Sequence, residues 1–283
     1  MKWLALLVVI VGCKYPDPGG SIPADDQPPD DADVDDSDTP DDTPPAVCLE
    51  PVTIDNMVQL PGKMVAGFAP AEDESFAISW LAGMNPGYTE APLGQSYSPT
   101  NITNSVDTAT LSPDGNVIYF LDENGIVNQR VRRAMRLGDN ATWTTPTFSG
   151  LADGFPGRPT ADDQRMFFIN DTQPEEWQRM AGTWTAVRAY TAADFGNEAA
   201  STITSGNLSP DGNFLLYTIT GPAEDGIHLR VRGGGGTFDG NDGAYGRGLT
   251  SGTYRDAILV ANCTKLYAYN TATQHVERWD VHP

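Results

Sequence analysis

The chain has few cations, few cysteines and no long apolar run, and each shortage excludes a class of protein. Of its 283 residues, 17 are Lys or Arg against 38 Asp or Glu, so the formal net charge is −21. Such an anionic chain repels phosphate backbones, which excludes general DNA or RNA binding. No apolar run reaches the roughly 18 residues that a membrane-spanning helix needs. Glycine and proline are plentiful, with 29 and 22 residues, as expected of a chain rich in turns.

Residue patterns that usually carry catalysis are also scarce. The three histidines, His228, His275 and His282, lack the spacing of a metal site. No Gly-x-Ser-x-Gly nucleophile elbow occurs. Four glycines at 233–236 lack the Lys and following helix of a phosphate loop, and the Asp-rich segment after them lacks the ligand spacing of a calcium loop. The sequence therefore predicts no enzymatic activity, no cofactor and no metal site.

The N-terminal residues 1–12, MKWLALLVVIVG, have the pattern of an export signal. One Lys precedes about ten apolar residues, a stretch too short to span a bilayer. The next residues, Ile10-Val11-Gly12-Cys13, resemble the lipobox of bacterial lipoproteins. The resemblance implies cleavage before Cys13, lipidation of Cys13, and a lipid-anchored protein of the bacterial envelope. Lys14 in place of an Asp favours the outer membrane. The alternative is an ordinary signal or an apolar strand with a chance cysteine.

Residues 13–47 have the composition of a disordered tether that follows the lipidated cysteine. Between Lys14 and Ala46 the chain has eleven aspartates, eight prolines and almost no apolar residues. Such a segment cannot bury enough apolar surface to offset the entropy of ordering it. Fully extended, it would span on the order of 100 Å at about 3.1 Å per residue. Calcium binding by the Asp pairs is the alternative, but no residue pattern there fixes a cation cage.

The remaining chain, 48–283, contains a repeat. The segment LSPDGN at 111–116 returns at 208–213, and degenerate copies lie at 68–77, 159–168 and 259–268. The equivalent turn positions are taken as Ala71, Asp114, Asp162, Asp211 and Asn262, with steps of 43, 48, 49 and 51 residues. Recurrence once per unit indicates a structural turn, because a catalytic residue would occur once. Five such units fill the segment.

Each unit predicts four short strands. Three of these strands follow a type I turn. They are an apolar strand (117–120, 214–218), an alternating strand (127–132, 227–232) and a strand that begins with Trp (143–148, 184–190), and the remaining strand precedes the turn. Four strands every 40 to 50 residues indicate an all-β, five-bladed β-propeller of four-stranded blades. The units resemble the WD40-like repeats of TolB-type propellers, whose signature is a Ser-Pro-Asp-Gly turn before an apolar strand. The resemblance implies protein or peptide partners in the envelope.

The two ends of the repeat region predict how the ring closes. The last unit lacks its fourth strand, whereas a spare strand at 51–60 precedes the first turn. This N-terminal strand should complete the last blade and remove its open edge. Cys48 and Cys263 then lie on the same rim, where an exported protein can form a disulfide. Two buried free thiols are the alternative.

The strongest enzymatic alternative is a carbohydrate-binding or glycoside-hydrolase-like propeller. Glycosidases need two carboxylates that face one pocket, and the available candidates include Asp107, Glu123 and Asp153. Trp80, Trp177 and Trp184 could line a sugar site. A concave channel mouth with two convergent carboxylates and a tryptophan would favour this alternative.

Arginines recur in two units and suggest a basic rib for a partner. The residues concerned are Arg130, Arg132, Arg136, Arg230 and Arg232. In an acidic domain such a rib attracts acidic partners or the Asp-rich tether, although charges on a solvated strand give the same pattern. The sequence thus predicts a monomeric, lipid-anchored propeller that acts as a non-catalytic binding or scaffolding module.

Overall fold

Five four-stranded antiparallel sheets make up the described chain, which is a five-bladed β-propeller as predicted. The computed structural model describes residues 48–51, 53–61, 66–138, 142–170, 173–197, 200–221, 225–238 and 247–283. All of them belong to the unit Thr43–Pro283. The predicted signal, Cys13 and the tether lie outside the described residues. Within the described ranges, no helix has the length and apolarity needed to cross a membrane.

Blades 1 to 4 use their strands in chain order from the channel outward. Blade 1 contains β2 (Gly67–Pro70), β3 (Phe76–Trp80), β4 (Gly87–Glu90) and β5 (Ser98–Pro99). Blade 2 contains β6 (Val106–Leu111), β7 (Val117–Asp122), β8 (Val131–Met135) and β9 (Thr147–Phe148). Blade 3 contains β10 (Phe155–Pro159), β11 (Arg165–Asn170), β12 (Gln173–Met180) and β13 (Thr183–Ala189), and a 3₁₀ helix, Ala192–Phe195, follows it. Blade 4 contains β14 (Thr202–Leu208), β15 (Phe214–Thr220), β16 (Gly226–Val231) and β17 (Arg247–Ser251).

Blade 5 is completed by the N-terminal strand, which confirms the predicted closure. Its strands are β18 (Tyr254–Val260), β19 (Lys265–Asn270), β20 (His275–His282) and β1 (Thr53–Gln59). The outer pair is antiparallel, from Thr53 opposite His282 to Gln59 opposite Glu277. Cys48, just before β1, is joined by a disulfide to Cys263 in the turn between β18 and β19. Both cysteines are buried. The N-terminal strand is therefore held to the rest of blade 5 by a ladder and a covalent bond.

The core lies between blades, and this explains why the second strands are mostly apolar. All residues of β3 and β7 are buried, because both faces of a blade pack against neighbours. Trp80 lies flat against the backbone of Gly67, where an added Cβ would come within 2.0 Å of the indole ring. Only glycine leaves room for this contact.

The recurring aspartates hold the turns between the first and second strands. In blade 2, Asp114 accepts hydrogen bonds from the Ser112 hydroxyl (2.5 Å) and the Asn116 N–H (3.0 Å), and Ser112 accepts from the Val117 N–H. Asp162 and Asp211 make the same bonds in blades 3 and 4. Side-chain oxygens thus satisfy backbone donors that no ladder reaches.

Two sequence-based assignments were wrong in detail. In blade 1 the equivalent of Asp114 is Asp73, two residues after the assumed Ala71, because Asp73 accepts from the Ser75 N–H (3.0 Å). The alternating strand expected from Val127 begins only at Val131. Residues before it form a loop, since Asp153 accepts the N–H groups of Asn128 and Arg130 and takes them from the ladder.

Candidate binding site at the channel mouth

The first strands of the five blades surround a central channel with two different ends. All five run in the same direction, so their ends define two faces. The turn face carries the turns 71–75, 112–116, 160–164, 209–213 and 261–264. The mouth face carries the beginnings of β2, β6, β10, β14 and β18 and the loops between second and third strands. Blade 3 lies opposite the joint between blades 5 and 1.

The channel is closed toward the turn face by Arg158 of β10. Its side chain is 0 % exposed and crosses the axis from blade 3 to the opposite joint. One guanidinium nitrogen donates to the Leu259 carbonyl of blade 5 (3.2 Å), and another contacts the Glu72 carboxylate of blade 1 (3.1 Å). Burial lowers the pKa of Arg158 to about 10, against the opposing effect of Glu72 and Asp114. The side chain remains charged at neutral pH and links three blades.

A ring of backbone hydrogen bonds reinforces this end. The N–H of Glu72 donates to the Pro113 carbonyl of the next blade, that of Ala161 to Pro210, and that of Ala261 to Glu72, each at 2.8 Å. At the two remaining joints the equivalent donor position is occupied by Pro113 or Pro210, which has no N–H. The repeat's proline therefore fixes its own turn and accepts a bond from the neighbouring blade.

The channel opens on the mouth face into a cavity of about 330 Å³. Backbone and side chains of all five blades line it: Ala66, Trp80, Asp107, Thr108, Phe155, Ile169, Thr202, Ile203, Thr204, Arg255 and Asp256. Apolar walls with a few convergent polar groups are the usual composition of a ligand site.

Irregular strand pairing turns the polar residues toward the cavity. The register shifts between Val106 and Ala109 in β6, between Ile203 and Ser205 in β14, and between Arg255 and Ile258 in β18. The residues skipped include Asp107, Thr204 and Asp256, which all line the cavity. Bulges re-aim side chains and are frequent beside functional sites.

Asp256 is the most perturbed acid of the mouth. It has a left-handed backbone (φ 53°), and its N–H donates to the Ser205 hydroxyl of blade 4 (2.9 Å). Burial raises the pKa of its carboxyl to about 7, with Arg255 opposing and Asp107 adding to the shift. Asp256 thus changes charge near neutral pH, where an ordinary aspartate is fully ionised.

Asp107 is the second carboxylate of the cavity. Burial raises its pKa, Glu123 adds to the rise, and Arg255 and Arg130 oppose it. Trp80 donates its indole N–H to the Asp107 carbonyl oxygen (3.1 Å) and is only 2 % exposed. Since the indole face covers Gly67, the tryptophan shapes the wall and offers little surface to a ligand.

Three arginines of the predicted basic rib contact neighbouring side chains. Arg130 pairs with Asp153 (3.0 Å), Arg132 lies 3.7 Å from Asp122, and Arg136 stacks over the Phe76 ring of blade 1. None of the three is fully exposed. They connect loops and blades, and their role in binding a partner stays a prediction.

The other two arginines of the rib lie deeper. Arg230 is buried, and its Nε donates to the Phe238 carbonyl (2.8 Å). Arg232 reaches blade 3, where it contacts the buried Glu176 carboxylate (2.8 Å). A continuous exposed rib through all five residues is therefore not formed.

The remaining candidates lie apart from the cavity lining. Asp153 has a lowered pKa because, although burial acts to raise it, hydrogen bonds from Arg130 and Asn128 outweigh that effect. Trp184 is buried among residues of blades 2 and 3, and Trp177 packs on Phe168. Glu123 is exposed and accepts from the Ser105 hydroxyl on the mouth face. Among the described residues, no group of three or more His, Cys, Asp or Glu side chains is placed to hold a metal ion.

Five residues of the cavity lining stand at the same distance in sequence from the turn of their blade. The motifs alone do not predict this site, because Asp256 and Arg255 lie outside any motif. The residues seven positions before the turn Asp or Asn of each blade are Ala66, Asp107, Phe155, Thr204 and Arg255. Every one of them lines the cavity. Applying the repeat register to the first strands, with Asp73 in place of Ala71, identifies this ring.

Comparisons with known proteins give structural similarity only. No family model matches the sequence, and no curated protein matches it. Similar solved structures include a TolB-type protein of Agrobacterium tumefaciens (11 % identity, TM-score 0.44), with 76 % of this chain and 70 % of that chain covered. The Cps50 (Swd1) β-propeller domain of Myceliophthora thermophila has 10 % identity and a TM-score of 0.44 over 77 % of this chain. Hydrazine synthase of Kuenenia stuttgartiensis has 13 % identity and a TM-score of 0.41 over 75 % of this chain. The chain spans 65 % of the Swd1 domain and 63 % of the hydrazine synthase chain.

Proposed function

We propose that the protein is an exported, lipid-anchored binding module of the bacterial envelope, and that it holds a protein or peptide at the channel mouth. The observation that carries the proposal is the contrast along the channel. Arg158 fills one end with paired contacts, whereas the other end is a cavity of about 330 Å³ lined by Asp107 and Asp256. Both carboxylates are half-buried and have raised pKa values, and perturbed acids that converge on one cavity are typical of a functional site.

The position of the N-terminal strand supports an anchored binding module. Cys48 is bonded to Cys263 on the turn face, so the chain enters the propeller on the side opposite the mouth. The first described residue therefore lies on the face opposite the mouth. Loops and strand ends on the free face of a propeller are suited to selecting a partner.

Site-specific photocrosslinking in cells of the source organism tests the binding face. A photoreactive amino acid replaces Phe155 at the mouth in one variant and Met180, which is exposed at the turn-face end of β12, in the other. We expect adducts from position 155 that decrease when Asp107 and Asp256 are both changed to Asn. Equal adducts from both positions, or none from position 155, would contradict the proposed site.

Metabolic labelling with a radioactive fatty acid tests the anchor independently. The wild-type protein should incorporate label and sediment with membranes, and Cys13→Ala should do neither. Equal incorporation in the two proteins would remove the lipid anchor from the proposal and leave the binding site unaffected.

A carbohydrate-active propeller is the second candidate, because the cavity contains two carboxylates and is lined by Trp80. The small exposure of Trp80 argues against a stacking platform for a sugar ring. A glycan array and an assay with aryl glycosides test it. Binding or hydrolysis that disappears in Asp107→Asn would replace the peptide proposal.

A further inference from the structure

We propose that the mouth accepts a Lys or Arg side chain of a peptide segment whose neighbouring residues are apolar. This inference rests on the proposed function and names the chemistry of its partner. Two sets of observations carry it: the charges in the cavity and the apolar residues that surround its opening.

The charges at the mouth leave an excess of carboxylate. Asp107 and Asp256 line the cavity, and Glu123 is close enough to raise the pKa of Asp107. The cation of the lining is Arg255, and Arg130 nearby is already bonded to Asp153. No hydrogen bond to the Asp256 carboxylate is formed by the residues that the structure describes. A cationic side chain would supply the missing donors and offset the repulsion between the acids.

Apolar residues occupy the mouth face of the three neighbouring blades. Phe155 lines the cavity and is 36 % exposed. Leu81 follows Trp80 at the end of β3, and Met84 pairs with Val106, directly before Asp107. The loop between β7 and β8 exposes Ile126 and Val127, each by more than two thirds. Exposed apolar residues beside a charged cavity fit a segment with apolar residues flanking a basic one.

The chain's own tether does not have this chemistry. Between Lys14 and Ala46 it has eleven aspartates and a single basic residue. Like charges at an acidic cavity repel, so a separate basic partner fits better than the tether. A nucleic acid is disfavoured for the same reason.

A positional-scanning library of acetylated and amidated hexapeptides tests the inference on the full-length chain. We expect at least tenfold selection of Lys or Arg over norleucine at one position, with apolar residues selected beside it. Asp107→Asn/Asp256→Asn should lower that selection about tenfold. Glu90→Gln is the matched control, because Glu90 is an exposed carboxylate at the turn-face end of β4 and should change nothing. Thermal unfolding of each variant checks that it is folded.

A second pair of variants tests the apolar part and keeps the result interpretable if the double variant is unstable. Phe155→Ser should reduce apolar selection and binding several-fold, and Met180→Ser, on the opposite face, should not. Peptides that bind without a basic preference would overturn the inference while leaving the proposed function standing. A basic preference that persists in folded Asp107→Asn/Asp256→Asn would also overturn it. No peptide binding by the wild-type chain would contradict the inference and the proposed function together.

Discussion

The two ends of the channel contain side chains of opposite charge, a cation with bonded partners at the turn face and carboxyl groups at an open cavity at the mouth. At the turn face a fully buried cation, Arg158, contacts a carboxylate and a carbonyl of two other blades. At the mouth, half-buried carboxylates face a cavity, and desolvation raises the pKa of Asp256 to about 7. The same repeat thus produces one end whose contacts stabilise the fold and one end whose carboxyl groups destabilise it when they are ionised. This difference separates the residues that hold the ring from those available to a ligand.

The largest expected effect is at the closed end. Arg158→Met should lower the free energy of unfolding by about 3–5 kcal/mol, because it leaves the Glu72 carboxylate without its cation. In a domain of this size that corresponds to roughly 10 °C in melting temperature. Arg165→Met is the control, since Arg165 pairs with Glu176 but is 41 % exposed and should cost less than about 1 kcal/mol. A change at Arg158 no larger than at Arg165 would mean that the closed end is not a structural centre.

The disulfide is a second test of the turn face. It closes a loop of 215 residues, so Cys48→Ser/Cys263→Ser should destabilise the propeller by about 2–4 kcal/mol in chemical denaturation. Hydrogen exchange should show β1 opening first, because the disulfide lies next to that strand. Unchanged stability of the double variant would show that the β1–β20 ladder alone closes the ring.

At the open end the sign of the effect is reversed. The folded-state pKa of Asp256 lies above its unfolded value, so the contribution of Asp256 to stability is most favourable at low pH and is lost as the pH rises toward and through 7. Asp256→Asn keeps a residue that tolerates a left-handed backbone. It should raise stability at pH 8 by about 1–2 kcal/mol, a figure reduced for screening at an open cavity, and change little at pH 4. Thermal scans at both pH values measure this, and a loss of stability at pH 8 would contradict it.

The smallest effect is expected at a single repeat turn. Asp114→Ala removes three hydrogen bonds from one of five turns, two of them exposed, and should cost about 1–2 kcal/mol. Because these aspartates are structural, peptide selection should be unaffected. A variant of normal stability that has lost binding would instead place Asp114 in the functional site.

The repeat register predicted the architecture well because each blade repeats the same local chemistry. The Ser-Pro-Asp-Gly turn and the apolar strand after it identified the blades, and the missing last strand identified the closure. The first blade was aligned two residues out, since Asp73 stands in a turn without the Pro-Asp-Gly sequence. The strand at Val131 was placed too early because Asp153, from a distant loop, holds the preceding backbone.

The two channel ends were harder to predict, because their chemistry depends on the ring. Arg158 stands four residues before Asp162, where the other blades have Ala69, Thr110, Asn207 and Ile258. Nothing in its own blade shows that it reaches Glu72 across the axis. Asp256 is likewise ordinary in sequence, and its raised pKa arises from burial and from Asp107 of another blade.

Hydrogen–deuterium exchange of the full-length chain, with and without the hexapeptide that it selects most strongly, tests the central claim most directly. We predict slower exchange at the beginnings of β6, β14 and β18, which carry Asp107, Thr204 and Asp256, and no change in the turns at 71–75 and 112–116. Protection confined to the turn face, or no protection near the mouth, would contradict the assignment of the open end as the binding site.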